Sequence, residues 1–130
     1  MSVHPTIRYA SGIAILDLRG RLTGTADGEG LSELILREFN AGHRAILLNC
    51  ESLESSDSSG LGDLVATYAS VIRQGGQIKL LRPHHRFAEL LAVTRLDAVF
   101  EIHQQESSAI ASFNPATAVR ARSALSNYLE

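Results

Sequence analysis

Apolar and polar residues alternate along the first part of the chain in the manner of short β-strands. Two β-type runs, Thr6–Tyr9 and Ile13–Arg19, are separated by Ala10-Ser11-Gly12, which predicts a hairpin or a tight connection. Gly20 is expected to close the second strand. Further on, Ala45–Leu48 is a continuous apolar run without alternation, which is typical of a central parallel strand covered on both faces.

Three later segments carry apolar residues at the spacing of amphipathic helices. The first is expected to end at Gly42, the second ends at Gly75-Gly76, and the third follows Pro83. The apolar positions that define these helices are, in turn, Leu31, Leu34, Ile35 and Phe39; Leu61, Leu64, Val65, Tyr68 and Ile72; and Phe87, Leu90 and Leu91.

Two more strands and two more helices complete the predicted pattern. Strands are expected at Ile78–Leu81 and Val99–Ile102, and a short fourth helix at Glu106–Phe113. Asn114-Pro115 places a good N-cap before a proline at the first helical position, which predicts a fifth helix that runs to about Leu129. Strands that alternate with helices after an initial hairpin predict an α/β fold whose mixed sheet is parallel in its later part.

Composition and charge narrow the class of protein. The chain has 130 residues, of which 45% are hydrophobic and 20% charged, as expected for one globular domain. Its formal net charge is -2, and no run of Lys or Arg forms the basic stripe that nucleic acid requires. No signal peptide is recognisable and no apolar run approaches the roughly 18 residues that span a bilayer. We therefore expect a cytoplasmic protein that binds no nucleic acid and does not insert into a membrane.

Side chains that usually carry catalysis or bind metals are scattered along the chain. No two of the five histidines stand at the i, i+4 spacing by which a helix binds a metal, and no Gly-x-Ser-x-Gly motif surrounds Ser58 or Ser59. The single cysteine, Cys50, excludes an internal disulfide and suits a small buried position. We expect neither a metal site nor catalytic residues, and an enzyme with Ser58 as its nucleophile is the least favoured alternative.

A serine-rich turn is the candidate functional site. The chain becomes polar and serine-rich between Cys50 and Gly62, which indicates a polar loop that leads into the second helix. Such folds usually place their function in the loops at the carboxyl ends of parallel strands. Asp57 can cap the following helix, while Ser58 at the start of that helix stays accessible. On local physics alone, a capping turn without further function and a phosphate-accepting serine explain the pattern equally well.

The segment Asp57-Ser58-Ser59-Gly60-Leu61, after the strand Ala45–Cys50, resembles the mark of a known family. This family comprises the STAS domains of anti-sigma factor antagonists, which carry Asp-Ser-Ser/Thr-Gly-Leu at the start of a helix after the central strand. Gly20-Arg21-Leu22 is similar to the family's Gly-x-Leu after the second strand, and Gln74–Leu81 and Leu90–Phe100 are similar to its later strand and helix. The similarity covers about residues 6 to 113.

The resemblance implies a STAS fold over residues 1–113, with a mixed β-sheet, an N-terminal hairpin and about four to five helices. Residues 114–130 are expected to form a C-terminal helical extension. Its apolar residues either pack back on the domain or mediate self-association into a homo-oligomer.

The resemblance also implies a binding switch with no enzymatic activity. In this family the unmodified antagonist captures an anti-sigma factor that is also a serine kinase, which frees a sigma factor to join RNA polymerase. Phosphorylation of the first serine of the motif, here Ser58, abolishes the capture, and a PP2C-type phosphatase restores it. The nucleotide belongs to the kinase, so no cofactor is implied. The implied partner-binding residues are Thr23, Asp57, Ser58, Ser59, Gly60 and Leu61.

One departure from the family pattern supports an alternative function. Many members carry Asp directly after Gly-x-Leu, where it helps to position the phosphorylatable serine, whereas this chain has Thr23. Together with the extra helix, Thr23 favours a structural STAS subunit that docks without phosphorylation. Such a subunit would act as a scaffold in a stress-signalling assembly or in a lipid-transport complex.

Overall fold

The structure, a computed structural model, describes residues 3–23 and 30–113. The predicted fifth helix and the extension 114–130 lie outside the described residues. None of the helices in this part of the chain is long and apolar enough to cross a membrane.

A five-stranded mixed sheet forms the centre of the fold, with the strands in sequence order. These strands are β1 (Thr6–Ala10), β2 (Ile13–Leu22), β3 (Ala45–Ser56), β4 (Gln77–Leu81) and β5 (Ile102–His103). β1 is antiparallel to β2, and every other neighbouring pair is parallel. The predicted hairpin and the parallel later part of the sheet are therefore confirmed.

Among the described residues, four α-helices follow the predicted order: α1 (Leu31–Asn40), α2 (Ser58–Arg73), α3 (His85–Val93) and α4 (Glu106–Ala111). α1 and α2 are followed closely by Gly42 and Gly75, whose φ angles of +106° and +86° favour glycine and stop a helix. The three helices predicted from apolar spacing are thus confirmed, and the apolar residues that predicted them lie in or against the hydrophobic core.

The sheet separates two apolar clusters. The larger cluster joins one face of the sheet to α1, α2 and α3, with Leu48, Tyr68 and Phe87 among its members. The smaller cluster, on the other face, contains Ile13, Ile15, Leu47, Leu81 and Ala109, the last from α4. Successive side chains of a strand point to opposite faces, so the continuous apolar run of β3 supplies both clusters.

The polar loop expected after Cys50 is wrong as far as Ser56, because β3 continues to that residue. β2 likewise extends past Gly20 to Leu22, and the two strands pair along this added length through register shifts typical of β-bulges. Leu53 anchors the polar stretch, since its side chain is fully buried. Interstrand pairing therefore overrides the polar composition of the segment.

The strand predicted at Val99–Ile102 is present, but its bounds are wrong. The chain makes a single 3-10 turn at Leu96–Ala98, and β5 is formed only by Ile102 and His103. The apolar side chains of Val99 and Phe100 are buried by packing instead of strand pairing. The Phe100 ring meets Tyr68 edge-on at 4.6 Å between centroids, and the Tyr68 hydroxyl donates a 3.1 Å hydrogen bond to the Val99 carbonyl.

Candidate functional site

The candidate turn lies where β3 passes into α2. Asp57 has an extended backbone and caps the helix, because its Oδ1 accepts a 2.6 Å hydrogen bond from the Gly60 amide. The Asp57 carbonyl accepts from the Leu61 amide at 3.0 Å, which begins the helical hydrogen-bond pattern. Asp57 therefore fixes where α2 starts, as the sequence predicts, and Ser58 is the first residue of the helix.

The end of β2 holds this turn from behind. The Leu22 carbonyl accepts a 3.0 Å hydrogen bond from the Asp57 amide. A Cβ atom at Gly60 would lie 2.5 Å from the same carbonyl oxygen and 2.9 Å from the Thr23 nitrogen. Only a glycine allows the backbone of α2 to approach β2 this closely. Leu22, at the end of the Gly-x-Leu segment, pairs with Ser56, which is 34 residues further along the chain and directly precedes Asp57. The two segments of the family resemblance therefore lie side by side.

The six sequence-predicted site residues divide by exposure. Asp57, Ser58 and Ser59 are exposed, Gly60 and Leu61 are buried, and Thr23 is half-buried. The small cavity between Thr23, Gly60 and the N-terminus of α1 has a volume of about 10 Å³, which is room for about one water. In the part of the chain that the structure describes, the turn therefore presents an exposed surface next to a cavity too small for a ligand larger than water.

Charge is unevenly placed around Ser58. The helix dipole gives the N-terminus of α2 a partial positive charge, while the only basic residue of α2, Arg73, lies in its last turn. On β2, the Arg21 side chain donates a 3.1 Å hydrogen bond to Ser55 Oγ. Sequence reasoning missed this contact and the role of the Leu22 carbonyl, because both depend on the register between β2 and β3 and leave no local signal.

Other candidate groups have structural roles. Cys50 is buried, and burial raises the pKa of its thiol to about 12. His84 caps α3 by accepting a 3.4 Å hydrogen bond from the Arg86 amide. In residues 3–23 and 30–113, no group of three or more His, Cys, Asp or Glu side chains could hold a metal ion.

Comparison with known proteins agrees with the geometry. A family model of the STAS domain matches residues 4–109. A candidate anti-sigma factor antagonist from Thermotoga maritima is 25% identical, with a TM-score of 0.69 over 82% of this chain and 92% of that one. Among curated proteins, no sequence matches this chain.

Two further solved structures share the fold. An anti-sigma factor antagonist from Mycobacterium paratuberculosis is 20% identical, with a TM-score of 0.71 over 85% of this chain and 93% of that one. The anti-sigma factor antagonist SpoIIAA in its unphosphorylated form is also 20% identical, with a TM-score of 0.61 over 83% of this chain and 96% of that one.

Proposed function

This chain belongs to the STAS domain family, and from that premise we propose that it is an anti-sigma factor antagonist whose binding is switched by phosphorylation of Ser58. The unmodified protein would capture an anti-sigma factor that is also a serine kinase and so free a sigma factor. A PP2C-type phosphatase would reverse the modification. This role places the protein in the cytoplasm, where RNA polymerase is, and requires no enzymatic activity or cofactor of its own.

A single observation carries the proposal: Ser58 is exposed at the first position of a helix whose start is held in place. The Asp57 cap and the contact between Gly60 and Leu22 fix the backbone on both sides of the serine hydroxyl. A kinase can therefore reach the hydroxyl without unfolding the domain, and a partner meets a turn whose backbone is held by these contacts.

The electrostatics explain how one phosphate would act as a switch. A phosphoserine carries a charge of about -1.5 to -2 at neutral pH. At Ser58 this charge would lie next to the Asp57 carboxylate, whose Oδ1 already accepts the hydrogen bond of the Gly60 amide. The phosphate would therefore add negative charge to an exposed surface and repel a partner that accepts the unmodified turn.

The proposed partner-binding residues fall into an exposed group and a supporting group. The exposed residues Asp57, Ser58 and Ser59 would touch the partner. Gly60, Leu61 and Thr23 would support them from behind, since the first two are buried and the Thr23 backbone packs against Gly60.

The test compares wild type with S58A, S58D and the neighbouring control S59A. With the cognate kinase and ATP, mass spectrometry should find phosphate on Ser58 in wild type and S59A but none in S58A. In a pull-down, S58A should retain the anti-sigma factor and S58D should release it. Phosphate placed elsewhere, with S58A modified like wild type, would contradict the proposal. Recovery of a scaffold or transporter by all variants alike would instead favour the structural STAS subunit.

A further inference from the structure

Helix α4 has little apolar anchoring. It is six residues long, and only Ala109 is buried. Ile110 and Phe113 are partly buried against the smaller cluster, which includes Ile15 and Leu47. A helix this short is unstable by itself, so its contacts with the sheet must hold it.

The N-terminal end of α4 is held by one arginine of β1. Arg8 Nη1 donates a 3.0 Å hydrogen bond to Glu106 Oε2, and Arg8 Nε donates at 2.7 Å to Asp17 Oδ2. Asn49 supports this arrangement by donating to Asp17 Oδ1 at 2.8 Å. The side chains of Arg8, Asp17 and Glu106 keep between 32% and 41% of their surface exposed, so solvent and protons reach them.

The C-terminal end of α4 is held by a lysine of β4. Lys79, only 2% exposed, donates hydrogen bonds of 2.7 and 2.8 Å to the carbonyl and hydroxyl of Ser112, which caps the helix. It also donates at 2.8 Å to Glu101 Oε2, and the same oxygen lies 2.6 Å from His103 Nε2. Glu101 therefore fixes the lysine that binds the end of α4.

We propose that α4 is a releasable strap on the second face of the sheet, freed when the carboxylates at its two ends are neutralised while the rest of the domain stays folded. The charged and titratable groups that face these carboxylates are Arg8 on β1, Lys79 on β4, Arg82 after β4 and His103 on β5. Release would uncover the apolar side chains of Ile15 and Leu47 on this face. By contrast, α1, α2 and α3 each bury apolar side chains in the larger cluster.

The direction of the pH effect follows from the three carboxylates. Hydrogen bonds from Arg8 hold the pKa of Asp17 and of Glu106 below their ordinary values of 3.8 and 4.5. Burial favours a higher pKa for Glu101, but the hydrogen bonds from Lys79 and His103 outweigh it and lower the pKa from 4.5. Carboxylates with lowered pKa stabilise the folded contacts above those ordinary values and lose this effect as the pH falls. Acid should therefore loosen both ends of α4.

Amide hydrogen exchange of the full chain tests the strap. The amides of Ala109 and Ser112 are bonded within α4, and those of Leu47 and Leu48 report on the sheet. Between pH 7 and pH 3, a range that extends below the ordinary pKa values of all three carboxyl groups, the protection factors of the α4 amides should fall by about tenfold or more, as expected when one charged hydrogen bond is lost. The protection factors in β3 should change much less. At pH 7, E106Q should reproduce the effect, and the exposed control E89Q on α3 should not.

Two results would overturn the proposal. The first is α4 protection that equals β3 protection at both pH values, since α4 would then open only by global unfolding. The second is an unchanged α4 in E106Q together with an unchanged α4 in R8Q, a second variant that removes the same contact from the other side. Because the ion pairs of Arg8 with Asp17 and Glu106 are partly exposed, 1 M NaCl at pH 7 should also lower the protection of the α4 amides.

Discussion

The Asp57 carboxylate caps α2 whether or not Ser58 is modified, so its effect on stability can be measured without a partner. We expect D57A to lower the free energy of unfolding by about 1 kcal/mol, within the 0.5–2 kcal/mol range for lost N-caps. D57N should cost less, because an asparagine oxygen can still accept from the Gly60 amide. Urea denaturation checks both, with E54A as the control for an exposed acid that makes no cap. Equal stability of D57A and E54A would argue against the cap.

Two glycines of α2 provide a matched pair. A Cβ at Gly60 would lie 2.5 Å from the Leu22 carbonyl oxygen, whereas a Cβ at Gly62 meets nothing within 4 Å. G60A should therefore destabilise by about 1–3 kcal/mol through overpacking. G62A should stabilise the folded domain by up to about 1 kcal/mol, since alanine has a higher helix propensity than glycine at an exposed position. Thermal unfolding of the two variants gives the comparison, and a change of the same sign in both would contradict it.

These residues also show what the sequence could and could not predict about the site. The cap at Asp57 was predictable, because a capping residue and the helix it starts are neighbours in sequence. The need for glycine at position 60 was not, since it arises from the Leu22 carbonyl of another strand. The exposure and proximity of the six candidate residues are thus structural findings, while their role in phosphorylation and partner binding stays a prediction.

At the scale of elements, the extension of β3 depends on one buried side chain. Leu53 is fully buried, although the residues on either side of it are exposed. We expect L53A to lower the free energy of unfolding by about 2–5 kcal/mol, as large-to-small core substitutions do. S52A, at the exposed neighbour, should change it by less than about 0.5 kcal/mol. Denaturant unfolding distinguishes this anchored strand from the loop that the polar sequence suggests, for which both variants would be nearly neutral.

Elements with a strong apolar period were predicted well, and elements fixed by distant pairing were not. α1 buries Leu31, Ile35 and Phe39, and this spacing is readable from the sequence alone. The apolar residues Val99 and Phe100 suggested a strand, but Phe100 packs against the Tyr68 ring and the Val99 carbonyl accepts a hydrogen bond from the Tyr68 hydroxyl. A short apolar run does not distinguish strand pairing from side-chain packing, because both bury the same surface.

At the scale of the whole molecule, the two faces of the sheet differ in how they are covered. One face carries three helices over the larger cluster, and the N-terminus of α2 with Ser58 belongs to this side. In the described residues, the other face carries α4, which the Arg8 and Lys79 contacts fasten. The proposed switch at Ser58 and the proposed strap thus lie on opposite faces, so each can be tested without disturbing the other.

Stability at alkaline pH depends on two buried groups of the larger cluster. Burial raises the pKa of the Cys50 thiol from 9.0 to about 12, and burial together with the Glu101 charge raises that of the Tyr68 hydroxyl from 10.0 to about 12. The unfolded chain releases these protons first, so their contribution is complete below about pH 9 and is lost as the pH rises toward 12. Between its ordinary pKa and its raised pKa, each group should lower the free energy of unfolding by about 1.4 kcal/mol for every unit by which the pH rises.

Urea denaturation between pH 8 and pH 11 measures this alkaline slope in wild type, C50A, Y68F and the double variant. Y68F also loses the hydrogen bond to the Val99 carbonyl at every pH, which costs about 1 kcal/mol, so the slopes are compared and not the absolute stabilities. Each single variant should have a shallower slope than wild type, and the double variant the shallowest. A double variant as steep as wild type would mean that other groups titrate on unfolding and that the burial of Cys50 and Tyr68 does not set the alkaline limit.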